Sequence, residues 1–133
     1  MEQEEAVLEI FKKANEYIPV FQAMADPERL LILLKLFYAG EQGKNVTELS
    51  SNTRLSRPAV SHHLKVLKAS GIIESSKVGT QIYYTLKSTA KISFVQDLLE
   101  KLQEHLKIIG NNSEKMNDET LDRIIAKAHA SLK

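Results

Sequence analysis

The spacing of apolar residues changes at Ile72. In SRPAVSHHLKVLKASG (residues 56–71) they recur at three- and four-residue steps. In the stretch that follows, IIESSKVGTQIYYTLK, they alternate. The first pattern is that of a helix and the second that of half-buried strands. At about 100° per residue, Val60, Leu64 and Leu67 gather on one side of the helix. Pro58, His62, Lys65 and Ala69 lie opposite, Ser61 and Lys68 flank them beside Arg57, and His63 takes the other flank. Ser56 is placed to cap the start and Gly71 the end, and Pro58 is tolerated in the first turn. The ridge expected to face water is thus short, polar and partly basic, with no acidic group. Such a ridge fits a DNA major groove, where Arg and Lys reach phosphates or guanine edges and Ser and His hydrogen-bond to bases or backbone.

The neighbouring elements sharpen this reading. VTELSSNTR reads as a short helix, with Thr47 as its cap, Leu49 pointing inward and LS as its end. Two helices joined by a turn of three or four residues make a helix-turn-helix. In the strand pair after it, Ile82, Tyr84 and Leu86 share a face, and Val78-Gly79 falls between the two runs, where glycine permits a tight turn. Helix, short helix, turn, helix, hairpin is the order of a winged helix-turn-helix, with Lys77 near the wing tip and Thr80 just past its turn.

The rest of the chain is helical by period. From Glu4 to Ala25, Val7, Ile10, Phe11, Ala14, Ile18 and Phe21 trace one amphipathic helix, bent at Pro19. Asp26 caps the next helix with Pro27 at its first position; the helix runs through ERLLILLKLFYAG and stops at Gly40. Leu30, Leu31, Leu33, Leu34 and Phe37 cover more than one of its faces, so it is expected to be the most buried helix. Further on, Ile92, Val95, Leu99, Leu102, Leu106 and Ile109 form a narrow heptad seam suited to another helix, widened by Leu98. GNNSE ends that helix, and a last one, about Asp118 to Ser131, carries Leu121, Ile124, Ile125, Ala128 and Leu132 on one side and is expected to add to the core. The fold expected is mainly α with a small β-hairpin: about six helices and a two-stranded wing. The domain expected spans residues 1–110, with a helical extension over 111–133.

Composition narrows the function. The 133 residues are 43% apolar and 26% charged, with no cysteine. Thiolate metal sites and thiol switches are therefore excluded. No apolar run approaches the roughly 20 residues of a membrane span, and the acidic start, MEQEEAVLEIF, is unlike a secretory signal or transit peptide. These features give the expectation of a cytoplasmic protein without a membrane partner. The net charge of +1 hides an asymmetry. Residues 1–28 hold seven acids and two lysines, whereas residues 54–91 hold seven bases and one acid. A basic middle in a neutral chain is the electrostatic footprint of a phosphate-binding surface.

MADPERLLILLKLF, VTELSSNTRLSRPAVSHHLKVLKASGII and VGTQIYYTLK resemble the arsenic-repressor, or ArsR/SmtB, family of bacterial transcriptional regulators over residues 20–90. The resemblance implies a homodimeric repressor that binds an inverted-repeat operator in double-stranded DNA and releases it when an effector, which the sequence does not name, binds. It implies recognition through Arg57, Ser61, His62 and Lys65; Pro58, Lys68, Lys77 and Thr80 complete the expected DNA-contacting set. It also implies a dimer interface built from the first helix (Val7, Ile10, Phe11) and the seam (Ile92, Val95, Leu99, Leu102, Leu106, Ile109). The heptad spacing agrees independently. Family members often carry Arg or Lys directly after the wing glycine. Thr80 stands there instead, which shifts the wing's electrostatic work to Lys77.

Many members of that family sense metals. One site type uses cysteines in the helix before the recognition helix, and VTELSSNTR has none. Another uses Asp-x-His and a second His pair on the long dimer helix. Here VQDLLEKLQEHLKII offers Asp97, Glu100, Glu104 and His105 without that pattern. Zinc needs at least three well-placed ligands, so no metal or other cofactor is expected. His62 and His63 are adjacent and point about 100° apart, which does not make a chelating pair; groove contact for His62 and packing or capping for His63 are expected, with His129 facing solvent. No phosphate-binding glycine loop or catalytic arrangement is present, so no enzyme is expected. Two alternatives stand beside the repressor: a metal-responsive repressor with a non-standard site on the dimerisation helix, and a winged-helix protein-interaction module, against which the basic middle argues.

Overall fold

A computed structural model describes residues 2–87, 90–111 and 117–132. Seven α-helices and one antiparallel hairpin follow in the order α1 (Glu2–Glu16), α2 (Ile18–Met24), α3 (Pro27–Ala39), α4 (Val46–Ser50), α5 (Arg57–Ser70), β1 (Ile73–Val78), β2 (Gln81–Leu86), α6 (Ala90–Asn111) and α7 (Asp118–Ser131), with a 3-10 turn at Gly40–Gln42. The chain forms two compact units. One comprises Met1–Ile18 with Ile92–Lys133, the other Pro19–Lys91.

The central unit is the winged helix-turn-helix. Leu36, Leu49, Val60, Leu64, Leu67 and Ile73 are its most completely buried side chains, drawn from α3, α4, α5 and β1. Local signals set each boundary. Asp26 caps α3 by accepting from the amides of Glu28 (2.9 Å) and Arg29 (3.1 Å), with Pro27 in the first turn. Ser56 caps α5 through the Ala59 amide (3.3 Å), and Gly71, at φ 85°, closes the helix in the left-handed conformation.

Helix α4 has only five residues and is held at both ends. Its cap is Asn45, not the expected Thr47. The Asn45 side chain accepts from the Glu48 amide (2.9 Å), and the Glu48 carboxylate accepts from the Asn45 amide (3.1 Å). Thr47 lies inside the first turn, where it cannot make this reciprocal pair. At the other end the Lys35 ammonium donates to the carbonyls of Leu49 (3.2 Å) and Ser51 (2.7 Å). The link from α4 to α5 is residues 51–56, longer than the three or four residues expected, and Asn52 takes φ 60° within it.

The wing register pairs Ile73 with Leu86 and Val78 with Gln81, leaving Gly79-Thr80 as the turn. Gly79 has φ 63° and Thr80 does not lie at positive φ, as in the II′ turns that suit strand twist. The hairpin's root is fastened to the loop before α4. Lys44 and Tyr84 exchange backbone hydrogen bonds of 3.0 and 2.9 Å. Gly43 allows this approach, since a Cβ there would collide with the Tyr84 carbonyl oxygen and lie 2.7 Å from Thr85 Cγ2, at a φ of 70°.

Two expectations about the first helices change. The single helix bent at Pro19 is two helices, because the chain breaks at Tyr17 and Pro19 falls in the first turn of α2, where a missing amide does no harm. Helix α3 is also not the most buried. It buries Ile32 and Leu36, while Leu31 is 59% and Phe37 65% exposed, with Leu30 and Leu34 also exposed. Residues spaced by four share one packed face, and the remaining leucines lie outside that arc.

In the other unit, α7 packs on α1. Ile124 and Ala128 are buried, whereas Leu121, Ile125 and Leu132, expected on the same side, stay exposed. Glu4 of α1 receives Lys127 at 2.7 Å and Arg123 at 3.4 Å. Helices α1 and α6 are joined by Lys13–Asp97 (3.8 Å) and Lys101–Glu9 (3.9 Å). Along α6, Leu98 is buried, but Leu99 (58%) and Leu106 (60%) face outward, with Leu102 between them also exposed. The side chains of Ile92, Val95 and Ile109 and most of GNNSE lie outside the described residues.

Two outcomes follow from these contacts. Gly43→Ala combines a left-handed backbone with a backbone collision, and should lower the urea unfolding midpoint by an amount corresponding to about 2–3 kcal/mol. The Asp26 carboxyl is held below its usual range, first by the Arg29 amide and then by the Glu28 amide, the Arg29 charge and His63. A depressed carboxyl contributes stability that is present above its unfolded pKa and lost as pH falls through the lower folded value. Asp26→Asn keeps a capping oxygen but not the charge. The stability difference between parent and variant, measured by urea denaturation from pH 7 to pH 3, should therefore shrink toward acid; a gap that does not change with pH refutes the assignment.

Candidate nucleic-acid interface

Burial of Val60, Leu64 and Leu67, each at 0% exposure, fixes the rotation of α5. The opposite ridge is then determined. Arg57, Pro58, Ser61, His62, Lys65 and Lys68 are all exposed. The helix carries no acidic residue, so nothing on it repels phosphate. Lys77 and Thr80 are exposed at the outer end of the hairpin, Lys77 on β1 and Thr80 within the turn itself rather than past it. Exposed Arg54, in the link before α5, adds a cation to the same segment of chain that the site assignment from spacing omits. Thus the residues assigned to DNA contact from the sequence occupy one helix ridge and one hairpin end of the same compact unit, with their side chains exposed.

His63 behaves differently from its neighbour. Its side chain is 12% exposed and its Nε2 lies 3.0 Å from Glu28 Oε2. Its Nδ1 lies 3.4 Å from Arg29 Nη1. Arg29 is itself anchored, its Nε donating to the Ala23 carbonyl at 2.6 Å and its Nη2 to the Gln22 carbonyl at 3.4 Å. Spacing alone does not reveal this cluster, because its members stand 34 and 35 residues apart.

Among the described residues, Asp26, Glu28 and His63 form a set of His and carboxylate groups with ligand atoms within 4.8 Å of one another. Its polarity is the reverse of a metal centre. A metal-bound histidine donates its second ring N–H to an acceptor, whereas Nδ1 of His63 faces a guanidinium that can only donate. The amides at the start of α3, which point at Asp26, also favour anions over cations. On α6, Asp97 lies 3.8 Å from the Lys13 ammonium and 3.6 Å from that of Lys101, and His105 is half-buried.

Comparison with known proteins agrees with the geometry. The sequence pattern of the family described as "Bacterial regulatory protein, arsR family" matches residues 26–75, from the α3 cap into β1. The chain is 29% identical over 92 residues to the transcriptional repressor SmtB homolog of Synechocystis sp., covering 69% of this chain and 67% of that protein. It is 34% identical over 94 residues to the transcriptional activator HlyU of Vibrio cholerae, covering 71% of this chain and 83% of the relative. Among solved structures, the ArsR family transcriptional regulator RHA00566 superposes with a TM-score of 0.61 at 26% identity, covering 71% of this chain and 93% of the other. Reduced HlyU from Vibrio cholerae does so with 0.55 at 33% identity, covering 71% and 95%. No helix among the described residues is long and apolar enough to cross a membrane. With its capped recognition helix, its basic ridge and its wing, the chain belongs to the arsR family of bacterial regulatory proteins.

Proposed function

We propose that the chain is a transcriptional repressor that binds an inverted-repeat operator as a homodimer and carries no metal-sensing site. The observation that carries this reading is the exposed, acid-free ridge Arg57–Ser61–His62–Lys65–Lys68, held rigidly by the buried opposite side of α5. In the complex, α5 lies in the major groove. Arg57 and Lys65 meet phosphates or guanine edges, Ser61 and His62 bond to bases or backbone, and Lys77 reaches the backbone from the wing.

The dimer supplies the spacing. Leu99, Leu102 and Leu106 step by three and four along α6 and are exposed in a single chain. A second copy covers them, together with half-buried Val7, Ile10 and Phe11 of α1. Two recognition helices then face successive grooves about 34 Å apart. Repression follows when such an operator overlaps a promoter. An effector that favours another dimer shape weakens binding by its differential affinity for the two shapes. The two ammonium groups beside Asp97 support a metal-free reading of α6.

Selection from a random duplex library should return an imperfect inverted repeat. The logarithm of the affinity for it should fall linearly with the logarithm of the salt concentration, with a slope of about −0.9 for each phosphate contacted. Arg57→Glu with Lys65→Glu should abolish the complex while leaving the melting temperature nearly unchanged, as expected of exposed sites. Complex formation that survives the double change places the groove face elsewhere. For the seam, Leu102→Asp with Leu106→Asp should convert a dimer into a monomer by sedimentation equilibrium and weaken operator binding at least about a hundredfold. A parent protein that sediments as a monomer with and without the duplex overturns the dimer.

A further inference from the structure

The imidazole of His63 has a defined hydrogen-bonding role. Arg29 donates and has no accepting atom, so Nδ1 of His63, 3.4 Å from Arg29 Nη1, must offer its lone pair. The ring proton then sits on Nε2 and is donated to Glu28 Oε2 at 3.0 Å. Only the neutral Nε2–H tautomer satisfies both contacts. An imidazolium carries N–H groups on both nitrogens and sets one of them against the guanidinium. Arg29 has little freedom to withdraw, since the Ala23 and Gln22 carbonyls hold two of its nitrogens and Asp26 caps its amide.

The charged and titratable groups around the ring come from two helices. Glu28, Asp26 and Arg29 belong to α3 and its cap, and His62, with a ring centroid 5.9 Å away, precedes His63 on α5. The two carboxylates attract positive charge at the ring, whereas the guanidinium repels it at close range. His63 is also the side chain through which the flank of the recognition helix is tied to the start of α3. The groove-facing residues Ser61, His62 and Lys65 surround it in sequence.

We propose that Arg29 and Glu28 position the recognition helix through neutral His63, so that operator affinity falls when that ring takes up a proton. His63 is a positioning residue in this scheme and does not touch DNA. The inference rests on the DNA-binding reading of the α5 ridge. Acidification breaks the Nδ1 contact with Arg29 and loosens the tie at one flank, while the buried Val60, Leu64 and Leu67 keep the helix folded.

The substitution that separates positioning from simple packing is His63→Gln. A glutamine carries one amide acceptor for Arg29 and one amide donor for Glu28, and it does not titrate. The parent and the His63→Gln protein both retain His62, so protonation in the groove itself enters the two profiles equally. Dissociation constants for the library-selected duplex, read by fluorescence anisotropy at constant ionic strength, should agree at pH 8 and should rise from pH 8 to pH 5.5 at least about fivefold more in the parent than in the His63→Gln protein. Parallel profiles, or loss of binding at pH 8 caused by His63→Gln, overturn the proposal. A two-bond proton–nitrogen correlation spectrum of the imidazoles at pH 8 gives a second readout that needs no variant. It should show Nδ1 of His63 unprotonated, and a proton there overturns the tautomer on which everything turns. If the parent does not bind the duplex at pH 8, the DNA-binding reading fails; if it binds but the profiles coincide, only the role of His63 fails.

Discussion

The burial of Val60, Leu64 and Leu67 is the constraint on which the functional surface depends. Three side chains at helical spacing, each worth roughly 1.5–3 kcal/mol when taken from water, leave α5 one rotation about its axis. Every polar residue on the opposite side inherits its direction from that choice. Arg57 and Lys65 are placed on the exposed side of α5 by that burial alone. The short α4 depends on the same core through Leu49. It survives at five residues only because Asn45 with Glu48 and then Lys35 satisfy the backbone groups at its ends.

Much of this could be read from the order of the residues. The α5 helix announces itself by period, by Ser56 and by Gly71, and the wing by alternation around Val78-Gly79. These signals are local, so they transfer directly to the folded state. The α4 cap was legible as well, since Asn-x-x-Glu at residues 45–48 is a capping signature as good as any that Thr47 offers. The helix break at Tyr17 was harder to see. The apolar repeat runs through α1 and α2 without a change of phase, and Pro19 draws attention to a position two residues too late.

The parts hidden from sequence are those decided by long-range partners. A leucine-rich helix such as α3 does not say which of its faces is packed; Ile32 and Leu36 win because they lie in line with the core, and Leu31 and Phe37 do not. Leu98 and Leu99 are equivalent by composition, yet one is buried and the other exposed. The Glu28–Arg29–His63 cluster joins residues from two helices that no periodicity connects. Its polarity is what separates an anchored imidazole from a ligand for a cation, and only the neighbouring guanidinium reveals it.

The hairpin's attachment has a mechanical consequence. Lys44 clasps Tyr84 near the inner end of β2, so the inner rungs belong to a stiff body and the outer ones, from Ser76–Tyr83 to the Gly79-Thr80 bend, are a cantilever. Deflection in such a beam concentrates beyond its clamp. On the proposed reading, the far end is the part of the wing left to adjust to the contour of a double helix, while the base is tied to the loop that precedes α4.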